Sequence, residues 1–210
     1  MLYLLCVSAQ ATMIKAIIFD LGGVLFTNGS TKFVEYLNKK SHLDKEDIHK
    51  LLFGELGNSY RLGTISKEDF WETLINKLNL KESAETLEDE WINGYELISE
   101  TKDLIDELSK KYKVYFLSDN AKERVERLNK KHNFTDWFED GVFSHEVGVK
   151  KPDLKIYKMA LRKTGVAAQK AIFIDDLPEN LPPAAKLGMT TILFTSPEDL
   201  RKNLSELEVI

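Results

Sequence analysis

Four short apolar runs, 16–19, 114–117, 171–174 and 191–194, constrain the fold of this chain more than any other feature. They are almost continuously apolar rather than alternating, and each ends at a polar residue or turn, the pattern of a strand buried on both faces. Helical patterns over 101–111, 121–132, 154–164 and 182–187 accompany the later runs, several closed by Gly165 or Gly188. Strands and helices in alternation predict an α/β fold with a doubly wound parallel sheet. A weaker strand signal lies at 141–144.

The stretch 27–100 breaks this rhythm. It carries no strand signal, but 33–38, 45–53, 67–79 and 85–96 place apolar residues at helical spacing, with Ser66 positioned to cap the third segment. An inserted α-helical cap is the expectation, leaving the sheet just after Asp20 and returning before Val114. That tether sets it over the carboxyl ends of the strands, where a lid excludes water and selects substrate. The division is therefore a core over 13–26 and 101–210, a cap over 27–100, and an N-terminal extension over 1–12.

The 34 acidic and 29 basic residues give a formal charge of -5, and no segment gathers the basic stripe that nucleic-acid binding requires. No run approaches the roughly 20 apolar residues of a membrane span. Cys6 is the only cysteine, so no intramolecular disulfide forms and a cytoplasmic setting fits. Residues 2–7 are apolar, and Ala9-Gln10-Ala11 imitates a signal-peptidase site, yet the run is short and no basic residue precedes it. Met13-Ile14-Lys15-Ala16 reads better as a natural start than the leader reads as a secretion signal.

In an open parallel sheet, ligands bind at the carboxyl ends of the strands. The strands deliver Asp20 followed by Gly22 and Gly23, then Ser118-Asp119-Asn120, then Asp175-Asp176. Any one of these is an ordinary loop or cap residue. Together, after three separate apolar runs, they make a site. Adjacent carboxylates repel unless a cation neutralises them, and Mg2+, a hard ion satisfied by oxygen ligands, is the natural partner. Lys151 precedes Pro152, which restricts its backbone and fixes its direction. An ammonium aimed into this acidic pocket would hold phosphate and keep Asp20 ionised.

The order Asp20-Leu21-Gly22-Gly23-Val24, Leu117-Ser118, Lys151-Pro152 and Ile174-Asp175-Asp176, with a helical insertion after the first strand, resembles the haloacid dehalogenase superfamily of hydrolases. The resemblance implies a Rossmann-like core and a magnesium-dependent phosphatase, a phosphoric monoester hydrolase acting on a small phosphorylated metabolite. It implies Asp20 as nucleophile, forming an aspartyl-phosphate, with Ser118 and Lys151 as catalytic partners. Asp20, the Gly22 carbonyl and Asp176 would hold the metal, with Asp175 beside them. Ser118, Asp119, Asn120, Lys151, Gly22 and Gly23 would surround the phosphate.

Most phosphatases of the superfamily resemble one another in a second Asp two residues after the nucleophile, which protonates the leaving oxygen. Here that residue is Gly22. A positioned acid is worth about 10² to 10⁴ in rate, so its loss must be replaced or forgone. The motif is similar to that of the glucose-1-phosphatase-like branch, which implies a leaving group needing less protonation, such as a sugar phosphate linked through its anomeric carbon. Substitute acids are His145, Asp119, Arg61 and Tyr60. A relative that binds a phosphorylated ligand or partner without turnover is the alternative. A 2-haloacid dehalogenase is disfavoured by the intact Asp175-Asp176 pair.

Overall fold

A computed structural model describes residues 13–210, so the expectations for the N-terminal extension lie outside the described residues. Five strands, β1 (Ala16–Phe19), β2 (Lys113–Ser118), β3 (Asp140–Phe143), β4 (Ala171–Asp175) and β5 (Thr190–Leu193), form one parallel sheet in the order β3-β2-β1-β4-β5. Its centre is β1, paired with β2 on one side and β4 on the other. The direction of winding reverses there, which opens the crevice where an open α/β sheet takes its ligand.

Side chains of β1 alternate between two buried faces. Ile17 and Phe19 join one apolar cluster and Ala16 and Ile18 the other, all fully buried. A strand flanked by helices on both sides has no polar face, which is why its sequence reads as a continuous apolar run. Edge strands escape this rule: Leu193 of β5 is 38% exposed, so that run is not buried on both faces as expected.

Five helices occupy the insertion: α1 (Gly29–Lys40), α2 (Lys45–Phe53), α3 (Glu55–Arg61), α4 (Lys67–Leu78) and α5 (Ala84–Asn93). The Ser66 hydroxyl accepts the Asp69 N–H at 3.0 Å, capping α4 as its sequence predicts. Phe70, Trp71, Leu74 and Leu78 of that helix are buried, so the conspicuous aromatics there are packing residues. Phe33 stacks on Trp91 with centroids 4.8 Å apart, and Tyr60 stacks on Phe70 at 4.3 Å. The unexpected helix is α3, only seven residues and containing Gly57, too short for a helical period to be legible.

The chain enters and leaves the insertion side by side. The Thr27 N–H donates to Glu96 O at 2.8 Å and the Ile98 N–H to Leu25 O at 2.9 Å, joined by an antiparallel bridge between Phe26 and Leu97. The remaining helices, α6 (Ser99–Ser109), α7 (Lys122–His132), α8 (Ser144–Val147), α9 (Leu154–Thr164), α10 (Leu181–Lys186) and α11 (Pro197–Glu206), surround the sheet. Buried residues of α6, α7 and α11 join the cluster containing Ile17, and those of α9 and α10 join the cluster containing Ile18. No helix among the described residues is long and apolar enough to cross a membrane.

Candidate active site

Because β1, β2 and β4 are neighbours, their carboxyl ends bring Asp20, Ser118 to Asn120 and Asp175 to Asp176 to one place. The Asp20 N–H donates to Ile174 O at 2.8 Å, continuing the ladder one residue past β1. The chain then turns back, with the N–H groups of Leu25 and Phe26 both donating to Leu21 O at 2.9 and 2.8 Å. Gly23 occupies the left-handed region at φ 82°, and a Cβ there would lie 2.1 Å from Asp176 Oδ2. The left-handed backbone favours glycine, and any side chain there would displace the Asp176 carboxylate. Gly22 is different, since a Cβ there meets nothing within 4 Å and its φ lies outside the left-handed region.

Lys151 ties the clusters together. Its Nζ stands 2.9 Å from Asp20 Oδ1 and 2.6 Å from Asp175 Oδ2, and its backbone N–H donates to both Asp119 oxygens at 3.1 Å. The peptide bond to Pro152 is cis. Burial works against the Lys151 charge, but the carboxylates of Asp20, Asp175 and Asp119 outweigh it and raise the ammonium's pKa. Lys151 is thus a firm cation among acids.

The adjacent aspartates divide their work. Asp175 is fully buried and committed: beyond Lys151, its Oδ1 accepts the Leu177 N–H and the Asn180 side-chain N–H, each at 2.9 Å. Asp176 lines the cleft, and burial together with the charge of Asp175 pushes its carboxyl up to about 6. Asp20 is likewise raised, first by burial and then by Asp175 and Asp176, against the pull of Lys151. Carboxylate oxygens of Asp20, Asp175 and Asp176 lie within 4.8 Å of one another. Three clustered carboxylates against one ammonium leave an excess of negative charge, and the all-oxygen donor set suits a hard divalent cation.

A cleft of about 420 Å³ opens above these groups, walled by both the inserted helices and the sheet ends. Of the predicted residues, Asp20, Gly22, Ser118, Asp119, Asn120, Lys151 and Asp176 line it. Asp175 and Gly23 do not; they sit behind it, orienting Lys151 and making room for Asp176. Two substitute acids are also displaced from it. The Tyr60 hydroxyl donates to Glu123 Oε2 at 3.0 Å, and His145 Nδ1 lies 2.7 Å from Asn120 O with its ring against Phe143. Neither lines the cleft, whereas Arg61 and Asp119 do. Burial raises the Asp119 carboxyl, with Lys151 acting against the rise.

Sequence reasoning missed Arg124, which also lines the cleft. A signal was present: Ala121, Arg124, Val125 and Leu128 share one buried helical face, so a cation occupies an apolar position.

Known proteins resemble this chain in sequence and in fold. Residues 14–188 match the family model of haloacid dehalogenase-like hydrolases. The drimenol cyclase drtB of Aspergillus calidoustus is 24% identical over 204 residues, 93% of this chain but 37% of that protein, so this chain spans little more than a third of that relative. The sesquiterpene phosphatase astK of Aspergillus oryzae is 28% identical over 189 residues, covering 89% of this chain and 92% of its own. A haloacid dehalogenase family enzyme of Bacteroides thetaiotaomicron, solved as a magnesium complex, superposes with a TM-score of 0.78 at 25% identity, covering 91% of this chain and 98% of that one. The chain belongs to the haloacid dehalogenase-like hydrolases.

Proposed function

We propose that this phosphoric monoester hydrolase is magnesium-dependent, forms an aspartyl-phosphate on Asp20, and acts on a small polar phosphorylated metabolite. The carrying observation is Lys151, whose ammonium contacts Asp20 and Asp175 at 2.9 and 2.6 Å while Asp176 stands free at the cleft. A carboxylate held beside a buried cation is oriented as a nucleophile. Asp20, the Gly22 carbonyl and Asp176 would hold Mg2+, which when bound neutralises charge on the transferring phosphoryl group.

The chain's own residues supply the rest. An Asp20 oxygen attacks phosphorus as the ester P–O bond breaks, and water later attacks the acyl phosphate to release inorganic phosphate and restore the carboxylate. The Ser118 hydroxyl donates to a phosphoryl oxygen, and Lys151 offsets charge on that group as it passes to Asp20. With Gly22 unable to give a proton, the leaving group departs as the unprotonated alkoxide and takes its proton from solvent, so it must be a weak base. This favours esters at an anomeric carbon or of similar leaving ability.

The cleft's lining favours a polar ligand over a long apolar one, since Asn28, Ser30, Asp119, Asn120 and two guanidinium groups line it. The lone Cys6 and the absence of a basic stripe support a cytoplasmic metabolic role without nucleic acid. The competing reading is a phospho-ligand binder without turnover, motivated by Gly22 and opposed by the intact Asp20, Ser118, Lys151 and Asp176. Magnesium-dependent release of phosphate from p-nitrophenyl phosphate, abolished by Asp20→Asn, decides between them. Release that survives either that substitution or chelation defeats the proposal.

A further inference from the structure

Two cations in the cleft have no part in the chemistry above. Arg61, at the end of α3, and Arg124, in the first turn of α7, reach the same cleft from the insertion and from the core. They are only 7% and 4% exposed, yet neither forms an ion pair with any described residue. Of the carboxylates near them, Asp119 accepts the Lys151 N–H at both oxygens, and Glu88, which shares a small cavity with Arg124, is paired with Lys67 and Arg127.

Each guanidinium is held in place without being used up. Arg61 Nη1 donates to Leu52 O at 2.7 Å, and Arg124 Nη1 to Asn120 Oδ1 at 3.0 Å. Phe53 covers Arg61 at 5.0 Å, while Trp91 and Tyr95 cover Arg124 at 3.9 and 5.5 Å. Aromatic faces fix the planes, and the remaining N–H donors of both guanidiniums are not sealed away from solvent. Burying an unpaired cation is unfavourable, and burying two near each other more so. Burial lowers Arg61 to about 10, with Arg124's charge adding to the effect. Structural packing alone does not require this arrangement; an arriving anion relieves it.

We propose that Arg61 and Arg124 form a second anion subsite, so that the substrate is a phosphate monoester carrying another anionic group at its far end. The transferring phosphoryl group already has Lys151 and Ser118, leaving the arginines to the rest of the molecule. Two planar guanidiniums suit a carboxylate or a second phosphate, each able to accept paired N–H donors. The inference rests on the phosphatase reading only for which group is cleaved.

Binding and turnover separate the two. Calorimetric titration of the Asp20→Asn variant with Mg2+ present compares matched ligands: glycerol 3-phosphate with 3-phosphoglycerate, and glucose 1-phosphate with glucose 1,6-bisphosphate. At least tenfold tighter binding of the doubly anionic member of one pair is expected, and the pair showing it distinguishes carboxylate from phosphate. Adding Arg61→Gln or Arg124→Gln should shrink that gap at least fivefold, while Arg61→Lys retains part of it. Equal affinities within both pairs overturn the subsite without any arginine variant, and a gap that persists in both folded Gln variants overturns it too. Failure of p-nitrophenyl phosphate hydrolysis in the unsubstituted protein counts against the phosphatase reading and leaves the affinity gap to decide the subsite.

Discussion

Lys151 Nζ lies 2.9 Å from Asp20 Oδ1, and this contact joins the end of the first strand to a segment more than a hundred residues later. The same ammonium reaches Asp175 at 2.6 Å, and the Lys151 N–H holds Asp119. One residue therefore ties together three strand ends.

Replacing Lys151 with Met should both abolish turnover and destabilise the protein. Removing one partner of a buried ionic cluster costs about 3–5 kcal/mol, because the carboxylates left behind lose their compensation. The melting temperature should fall by on the order of 10 °C. Millimolar Mg2+ should recover part of this loss by binding the exposed charge in the folded state. Thermal melts with and without Mg2+ check both effects.

Asp176 predicts a pH dependence. Its folded-state pKa is raised to about 6 by burial and by Asp175. The stability it contributes to the metal-free protein is therefore full below the ordinary carboxyl value of roughly 3.9 and is lost as pH rises through the folded value. Mg2+ needs the ionised carboxylate, so its affinity should weaken by about tenfold per pH unit below 6. Calorimetry from pH 5 to 8 reads this directly, and an affinity flat across that range contradicts the assignment of Asp176 to the metal.

Neighbouring glycines should respond in opposite ways. Gly22→Asp enters open space from an ordinary backbone conformation, so the protein should fold normally. Esters with poor leaving groups should then gain most, by up to about 10² in kcat/KM, as the new acid supplies a proton. Gly23→Ala forces a left-handed residue and a methyl group against Asp176. It should cost about 1–3 kcal/mol of stability and weaken Mg2+ binding.

Leaving-group chemistry supplies a separate check. Across aryl and alkyl phosphates, log kcat/KM of the unsubstituted enzyme should fall steeply as leaving-group pKa rises. The Gly22→Asp variant should flatten that slope. A flat slope in the unsubstituted enzyme would mean that another residue already donates the proton.

Tyr60→Phe should separate structure from catalysis. The hydroxyl donates to Glu123 on α7 and does not line the cleft. Its loss should cost about 0.5–1.5 kcal/mol of stability while leaving kcat within twofold. A large fall in kcat with unchanged stability would return Tyr60 to the list of proton donors.

Much of this was legible in order along the chain. Continuous apolar runs identified the central strands because a strand covered on both faces admits no polar alternation. The acidic and glycine residues that follow those runs marked the site, since a parallel sheet presents its strand ends together. The Asp20, Ser118, Lys151 and Asp175-Asp176 set was readable in that way, and so was the capping of α4 by Ser66. The short α3 was not, because seven residues interrupted by a glycine give no measurable period. Arg124 shares a buried helical face with Val125 and Leu128, but nothing in the local pattern says that this face meets the cleft.

Sequence alone thus determined the α/β class, the inserted helices, the residues available for chemistry and the absence of a side chain at Gly22, because each follows from local pattern and residue type. Tertiary structure decided which available groups are free. It committed Asp175 to Lys151 and Asn180 and left Asp176 facing the cleft. It turned Tyr60 and His145 away and brought Arg61 and Arg124 to the same cleft. Those outcomes depend on packing between segments far apart in the chain, and no local periodicity encodes which of two adjacent carboxylates will be buried.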